Sequence, residues 1–499
     1  TAEYLDEHLD TAGIPDPVGD PGTIVTFPVP SRPYDVNVNA GGLSDATTFG
    51  ASVTATWQVS DALEIETISS YREFSFDLNL DTDGTPLPLL DVLLDQDQWQ
   101  FTQEIRATYD AGGPLAFVGG VYYFHDDDLT FSGVDNGSAA LFGFPVTLFG
   151  LPTSSLADTD QTTDSVAVFG DATWQLTDAI SLGAGLRYTF EEKQSTRRFE
   201  YFFDPDVSVI QDLPPFLSGA GVAGTPISGE ADFEAFTPRV SISYEPNDRV
   251  LVYGAVARGF KSGGFDGRAN NDFSFQPFDP EFVWSYETGI KTSWAGGRVI
   301  ANATYFYNDF TDLQVTSFGA DPVTNTFVSL FTNAAAATVQ GVEFELMALP
   351  TDHLTLNASL GYMDGAYDRF ETLVGGVATD VSDRPLVNTP EWSGSVSATW
   401  EAPIGDQLIG VAHLDAAYRS ETANEVSASP ELMQDAYWLS NGFVALRDAD
   451  ERWELRAGVR NIGDEAIQVQ GFNLAAFPGL QDAFYAAPRT WDVRVIYRY

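Results

Sequence analysis

The chain ends in PRTWDVRVIYRY, residues 488–499. Neighbouring side chains of an extended strand point to opposite faces. One face of this segment is therefore apolar and finishes in aromatic rings, and it consists of Trp491, Val493, Val495, Tyr497 and Tyr499. The other face carries two arginines and an aspartate. A strand divided in this way needs a dry environment on one side and a wet environment on the other.

The same alternation recurs along the chain. It is clearest in residues 48–59, 179–191, 393–400 and 453–460, where apolar residues occupy every second position and Ser, Thr, Gly or charged residues fill the others. A period of two is typical of a sheet with one wet and one dry face. There is no helical periodicity of any length and no break in composition that would mark a second domain. The sequence therefore predicts an all-β protein.

Short turns join the strands in pairs. Eight are built from turn-forming residues: Ser60-Asp61, Gly112-Gly113-Pro114, Thr177-Asp178, Pro246-Asn247-Asp248, Gly296-Gly297, Pro350-Thr351-Asp352, Ile404-Gly405-Asp406 and Asp448-Ala449-Asp450. The opposite strand ends run into longer stretches, such as 129–162, 200–230, 262–280 and 470–484. The pattern predicts about 17 strands, with tight turns at one rim and long loops at the other.

Composition excludes several classes of protein. The 499 residues include no Cys, which removes disulfides, thiolate zinc sites and cysteine nucleophiles. The net charge is −48 and only three residues are Lys, so nucleic acid is an improbable partner. No run of 18 apolar residues predicts a transmembrane helix, and no signal peptide is evident at Thr1.

Aromatic residues bracket the apolar faces at both ends. One group lies close to the short turns, and a second group lies near the opposite strand ends. From Ile180 to Phe190 the apolar face spans about 25 Å, if the strand rises roughly 3.3 Å per residue and tilts about 40°. Aromatic belts at this spacing are typical of a membrane-embedded sheet. The predicted aromatic girdle comprises Trp57, Trp174, Tyr244, Trp294, Trp400 and Trp453 near the turns, and Tyr188, Tyr305 and Tyr418 near the loops.

The competing interpretation is a soluble β-sandwich or propeller, whose apolar faces would meet in a core of large residues. In this chain the middle of the apolar face is often Ala or Val, which favours a transmembrane antiparallel β-barrel. Only a closed sheet satisfies every backbone group in hydrocarbon. The surroundings expected are the lipid bilayer and lipopolysaccharide of the outer membrane of a Gram-negative bacterium, with the short turns in the periplasm and the long loops outside.

Strand parity bears on the ends of the chain. With an odd number of strands, the N-terminus lies outside the cell if the C-terminus lies in the periplasm. A single-chain bacterial barrel, however, needs an even number of strands. We therefore expect residues 1–44 to be an extracellular loop segment of a truncated N-terminal part, and residues 45–499 to form the barrel domain.

Two stretches resemble a known family. YGAVARGFKSGGFDG, residues 253–267, and GVRNIGDEAI, residues 458–467, together with the closing strand, resemble segments of TonB-dependent outer-membrane receptors; GVEFEL, residues 341–346, is a weaker match. The resemblance implies a 22-stranded barrel with a plug and a TonB-contacting segment, neither of which is visible in this chain. It also implies that the terminal strand, from Trp491 to Tyr499, is read by the barrel assembly machinery, with Tyr499 in place of the usual Phe.

The resemblance implies TonB-coupled uptake of a large scarce nutrient, with a ferric siderophore as the default ligand. The alternatives are a passive porin of 16–18 strands, TonB-coupled uptake of a carbohydrate or another non-iron ligand, or a surface β protein that binds without transport. No catalytic residue, metal site or cofactor is predicted, and the protein is not expected to be an enzyme.

Candidate ligand residues come from the loop-side ends of the strands. Positively charged side chains are scarce in this acidic chain, so those near the loops are candidates for contact with a ligand. Exposed aromatic side chains of loops can also form a surface that contacts a ligand. The residues predicted to contact ligand are Arg258, Lys261, Phe265, Arg268, Phe275 and Arg419.

Three other features have simpler interpretations. GFKSGG, residues 259–264, lacks Walker spacing and predicts a strand-to-loop corner. His125 to Asp128 are interpreted as the start of a solvated loop, with loose cation binding as the alternative. His413 falls on the polar face with Asp415 and is interpreted as a hydrogen-bonding residue of the lumen.

Overall fold

The computed structural model describes residues 6–9, 14–15, 24–25, 43–81, 91–135, 154–202, 222–223, 225–267, 269, 273–320, 327–374, 377–473 and 481–498. Extended strands dominate these residues, and the helical pieces among them are two 3₁₀ turns, Ala295–Gly297 and Pro430–Leu432. In this part of the chain no helix is long and apolar enough to span a membrane. The prediction of an all-β protein is confirmed.

Seventeen long strands form the wall of the described molecule. Their bounds are β1 Leu43–Ser60, β2 Leu63–Asp81, β3 Asp91–Asp110, β4 Leu115–Asp135, β5 Ser154–Thr177, β6 Ile180–Phe202, β7 Ile227–Asn247, β8 Val250–Lys261, β9 Glu281–Trp294, β10 Val299–Ala320, β11 Phe327–Thr351, β12 Leu354–Val374, β13 Trp392–Ile404, β14 Leu408–Arg419, β15 Tyr437–Asp448, β16 Trp453–Arg460 and β17 Thr490–Tyr497.

Each strand of the wall pairs antiparallel with the next one along the chain. All eight predicted turns connect neighbouring strands, and we call their end of the wall the turn rim. Gly112 and Gly405 adopt positive φ there (68° and 67°), a conformation that glycine enters without steric cost. The longer connections all lie at the other end, which we call the loop rim.

The wall follows the strand order of a barrel but is not closed. No residue register joins β17 to β1 in the described part of the chain, so these strands are the two edges of the sheet. Their apolar side chains are correspondingly open to solvent, with Val495 at 76% and Val53 at 68% of full exposure.

The strands are longer at the loop rim than the apolar alternation predicted. The predicted loop 129–162 contains the end of β4 and the start of β5. His125 to Asp128 lie inside β4, opposite Gln161 to Asp164 of β5, so the prediction that they begin a loop is wrong. The reason is that alternation of apolar residues marks the dry band only, whereas backbone pairing continues above it with polar side chains on both faces.

The apolar faces are not stacked against each other. Trp57, Trp174 and Trp400 retain 65%, 48% and 42% of their exposure, which rules out a sandwich with these rings in a common core. Tyr188, Tyr244, Tyr305, Trp294 and Trp453 are also exposed, and Tyr418 is half-buried against Trp438, with ring centroids 5.1 Å apart.

The opposite face is polar and lines the bore. Ion pairs cross it between strands, as between Arg239 of β7 and Asp171 of β5 (2.9 Å), on either side of β6, and between Arg106 of β3 and Glu66 of β2. His413 lies on this face, where its Nδ1 and the Thr399 hydroxyl are 2.7 Å apart and its Nε2 is 3.3 Å from Asp415. A wet inner surface and an apolar outer surface agree with the predicted alternation.

Compact packing is concentrated at the loop rim. Phe370 and Leu432 are the largest fully buried side chains described, and each belongs to a small cluster of that rim. Short strands add to it: Thr422–Ala423 pairs with Met433–Gln434, and Gln481–Tyr485 pairs with Gln468–Asn473 and Asp6–Leu9. Val377–Asp380 pairs antiparallel with the end of β12, and Val222–Ala223 pairs antiparallel with the end of β6. Ile14–Pro15 pairs with Ile24–Val25. Most of residues 1–44, and Tyr499, lie outside the described residues, so the domain division at residue 44 stays a prediction.

Candidate functional site at the loop rim

The connection between β8 and β9 comprises residues 262–280, and its described residues, 262–267, 269 and 273–280, fold back onto the inner face of the wall. It starts in the Gly-rich corner of the RGFKSGG segment. The Lys193 ammonium of β6 donates a hydrogen bond to the carbonyl of Gly263 (2.8 Å) and pairs with Glu191 (3.1 Å). The Ser262 hydroxyl donates to the same Glu191 carboxylate (2.5 Å). These contacts fix the first residues of the connection against β6.

The far end of the connection is fixed against β10 and β11. The Asn333 amide both donates to the carbonyl of Asp279 and accepts from its N–H (2.7 Å each). The Gln314 side-chain amide donates to the carbonyl of Asp279 (3.1 Å) and also to that of Ser262 at the near end (2.8 Å). The rings of Phe278 and Phe331 pack with centroids 4.4 Å apart. The connection is therefore tied to the wall at both ends.

Close packing explains a glycine in this corner. A Cβ on Gly263 would overlap the Phe233 ring and the carbonyl oxygen of Phe278. Because Gly263 and Phe233 are both buried, neither has free space into which to move. The backbone of the connection can approach β7 only where no side chain intervenes.

A cavity of about 480 Å³ lies between the connection and the inner wall. Its wall alternates polar and aromatic groups, namely Gln98, Asp126, Gln161, Thr163, Glu191, Lys193 and Lys261 with Phe124, Phe265, Phe278 and Phe331. A concave site of this volume, lined by both polar groups and aromatic rings, has the size of a small-molecule site.

The carboxylates of the cavity have hydrogen-bond donors, whereas one of its ammonium groups has no carboxylate beside it. Asp126 is buried and accepts a hydrogen bond from the Gln98 amide (2.7 Å), while Glu191 is held by Lys193 and Ser262. The Lys261 side chain is exposed, and its ammonium lies 5.7 Å from the centre of the Phe331 ring. None of the carboxylates described lies within 4.0 Å of that ammonium. Among the described residues, the Lys261 ammonium is therefore a cation of the cavity without a carboxylate partner, and it lies beside an aromatic wall.

The structure separates the six residues predicted to contact ligand. Lys261 and Phe265 line the cavity. Phe275 stacks on Phe265 with centroids 5.1 Å apart, and both rings are buried, so this pair forms the core of the connection. Arg258 lies on the outer face of the wall, stacked on Phe282, and not toward the lumen. Arg419 donates to the carbonyl of Asn388 (3.2 Å) in another part of the loop rim, and Arg268 lies outside the described residues.

Sequence reasoning missed the residues that anchor the connection. Lys193 belongs to the same alternating set as Glu191, so extending that alternation by one more step would have placed it on the inner face. Gln314 and Asn333 follow an irregularity in the pairing of β10 with β11 and carried no comparable signal. Among the described residues no group of three or more His, Asp or Glu side chains could hold a metal ion.

An antiparallel barrel wall with an apolar outer face, a polar inner face and a ligand-sized cavity at its loop rim defines a class of outer-membrane transport protein. The family model described as "TonB dependent receptor-like, beta-barrel" matches residues 4–462. The chain belongs to this family, and the family and fold are those of transport receptors of the Gram-negative outer membrane.

Individual relatives are distant. The chain is 28% identical to the pesticin receptor of Yersinia pestis over 193 residues, 38% of this chain and 24% of the relative. It is 22% identical to the probable TonB-dependent siderophore receptor PiuA of Acinetobacter baumannii over 319 residues, 62% of this chain and 38% of the relative. The crystal structure of the ferric yersiniabactin uptake receptor FyuA from Yersinia pestis aligns with a TM-score of 0.71 at 18% identity, covering 92% of this chain and 62% of that one. The chain thus spans well under half of the curated relatives, and the structural likeness concerns the fold.

Proposed function

We propose that the protein takes part in TonB-coupled uptake of a large scarce nutrient, a ferric siderophore in the first place. Family membership supports transport across the outer membrane with TonB as the energy-coupling partner. The names of the relatives, a pesticin receptor, a siderophore receptor and a ferric yersiniabactin uptake receptor, support a metal chelate as the ligand.

The observation that carries the proposal is the cavity beneath the anchored connection. Its carboxylates are occupied by protein donors, whereas Lys261, beside Phe331, has no carboxylate partner in the part of the chain that the structure describes. A chelate whose metal is held by anionic oxygens would meet the ammonium through its oxygens and the rings through its apolar part. The ammonium and the rings suit an anionic chelate better than a neutral oligosaccharide.

Two alternatives are less well supported. A passive porin agrees with 17 strands about as well as a receptor does, but the family match favours a receptor. Uptake of a non-iron ligand would use the same wall and the same cavity. Growth and uptake after deletion of the gene, compared across iron sources, other metal chelates and oligosaccharides, separate these cases: a defect confined to iron sources supports the proposal, and a defect confined to oligosaccharides contradicts it.

Replacing Lys261 by Gln is expected to weaken ligand binding about tenfold, because loss of one charge-assisted contact is worth about 1.4 kcal/mol. The matched control is Lys291→Gln, since Lys291 also lies near a ring, with its ammonium 5.5 Å from the centre of Tyr253, but outside the cavity. Uptake of radiolabelled iron chelate by cells with equal surface expression measures the effect. Equal uptake by both variants would place the ligand elsewhere.

A further inference from the structure

Asp126 is the most deeply buried carboxylate in the wall of the loop-rim cavity. It lies on the inner face of β4 and keeps 6% of its exposure. Its Oδ2 accepts a hydrogen bond from the Gln98 amide (2.7 Å), and its Oδ1 accepts none from the described residues. A carboxylate has about four acceptor sites, so most of the hydrogen-bonding capacity of Asp126 remains open to the cavity.

The charge of Asp126 is not neutralised by a cation of the described residues. Lys193 lines the same cavity, but its ammonium is paired with Glu191 (3.1 Å). His125, the preceding residue, points to the outer face of the wall, where its Nδ1 lies 2.9 Å from Asp164. Burial of a carboxylate costs free energy unless a positive charge compensates it. The cavity therefore favours a ligand that brings a positive charge to Asp126.

The side chains next to Asp126 also have open acceptors. Thr163 of β5 lies directly opposite Asp126 in the strand register, and Gln161 precedes it on the same face. Both line the cavity, and neither side chain has a hydrogen-bond partner in the part of the chain that the structure describes. A protonated primary amine has three N–H donors. The carboxylate, the hydroxyl and the amide oxygen of this group supply one acceptor for each of them.

The cavity thus contains two charges of opposite sign that do not pair with each other. Lys261 lies on β8 beside the ring of Phe331, whereas Asp126 lies on β4. The ammonium of Lys261 is more than 4.0 Å from every carboxylate described. A ligand that satisfies both groups carries anionic oxygens at one end and a cationic amine at the other.

We propose that this cavity selects a metal chelate that carries a protonated amine, and that Asp126 binds the amine through Oδ1. Thr163 and Gln161 complete the amine subsite as neutral acceptors. The inference rests on the proposed function, because it names the class of chelate that the same cavity would take. An amine is favoured over a ligand hydroxyl, because a hydroxyl would satisfy a hydrogen bond of Asp126 but leave its charge uncompensated.

The test measures the affinity of the full purified chain in detergent for pairs of ferric chelates by isothermal titration calorimetry. Each pair consists of a chelate with one free primary amine and the same chelate after N-acetylation. One pair is a trihydroxamate and the other is a triscatecholate. Wild type is expected to bind the amine form about tenfold more tightly than the acetylated form. Asp126→Asn is expected to abolish this preference by weakening binding of the amine form alone, because the new amide presents N–H donors where the amine needs an acceptor.

Asp128→Asn is the matched control. Asp128 follows Asp126 on the same face of β4 and accepts hydrogen bonds from the Gln96 amide and the Thr130 hydroxyl, but it does not line the cavity. Its substitution is expected to leave the preference for the amine form unchanged. Circular dichroism of every variant confirms that the compared proteins are folded.

The outcomes separate this inference from the function on which it rests. Equal binding of the amine and acetylated forms by wild type, a preference retained by Asp126→Asn, or an equal loss of preference in Asp128→Asn would each overturn the inference and leave the proposed function standing. Binding of none of the four chelates by wild type would contradict the proposed function and the inference together.

Discussion

Replacing Val396 by Arg is expected to destabilise the folded protein in lipid by about 2–4 kcal/mol. Val396 lies on the outer face of β13, between the rings of Trp392 and Trp400, and keeps 52% of its exposure. At this depth the substituted guanidinium would face hydrocarbon, where it has no water and no counter-ion. Urea unfolding in phospholipid vesicles, followed by tryptophan fluorescence, gives the change in the free energy of unfolding.

The control for this prediction is the next residue. Ser397 points to the inner face, where its hydroxyl accepts a hydrogen bond from the Asn357 amide (3.3 Å). An arginine there would reach the wet bore, so Ser397→Arg is expected to cost under about 1 kcal/mol. A larger cost at Ser397 than at Val396 would reverse the assignment of the two faces, and with it the membrane orientation of the whole wall.

Replacing Gly263 by Val is expected to detach the connection between β8 and β9 from the inner wall. The new side chain has no space beside Phe233 and the Phe278 carbonyl, and overpacking of this kind costs about 1–3 kcal/mol. The hydrogen bonds from Lys193 and Gln314 lie at this corner, so they would be lost with it. We expect faster proteolysis within residues 262–280 and, if the proposed function holds, a fall in uptake of about tenfold or more.

Gly267→Val provides the comparison within the same connection. Gly267 is exposed, and a Cβ placed on it would meet no atom within 4 Å. This variant is expected to match wild type in both proteolysis and uptake. Faster proteolysis of Gly263→Val with unchanged uptake would leave the anchoring correct and remove the connection from the transport mechanism, whereas unchanged proteolysis would contradict the anchoring itself.

The wall could be predicted from the sequence because its two faces meet different solvents. Apolar residues at every second position, as at Phe49, Ala51 and Val53, place the apolar side chains of a strand on one face. Turn residues such as Gly405 identify the hairpins. The strand extensions above the dry band could not be predicted in this way. Asp126 and Thr163 pair there as regularly as any residues of the wall, yet a run of polar residues has the composition of a loop.

The candidate site was harder to predict because it depends on contacts distant in sequence. Lys193 and Gly263 are separated by 70 residues, and nothing local to either residue reveals their hydrogen bond. The cations of the RGFKSGG segment show a second difficulty. Arg258 and Lys261 are three positions apart, and an odd separation in a strand sends their side chains to opposite sides of the wall. Both are predicted from the sequence to contact ligand, but of the two only Lys261 lines the cavity.

The open edges of β1 and β17 carry backbone amides and carbonyls that none of the described strands satisfies. Hydrocarbon offers these groups neither donor nor acceptor, and each one left unpaired costs several kcal/mol. The free-energy cost of these two edges is therefore far larger in a bilayer than in water, and it grows with every edge residue that lies in the hydrocarbon. Among the described strands of the wall, β1 and β17 are the ones whose outer sides have main-chain pairing to gain, so any further wall strand would be added at these edges.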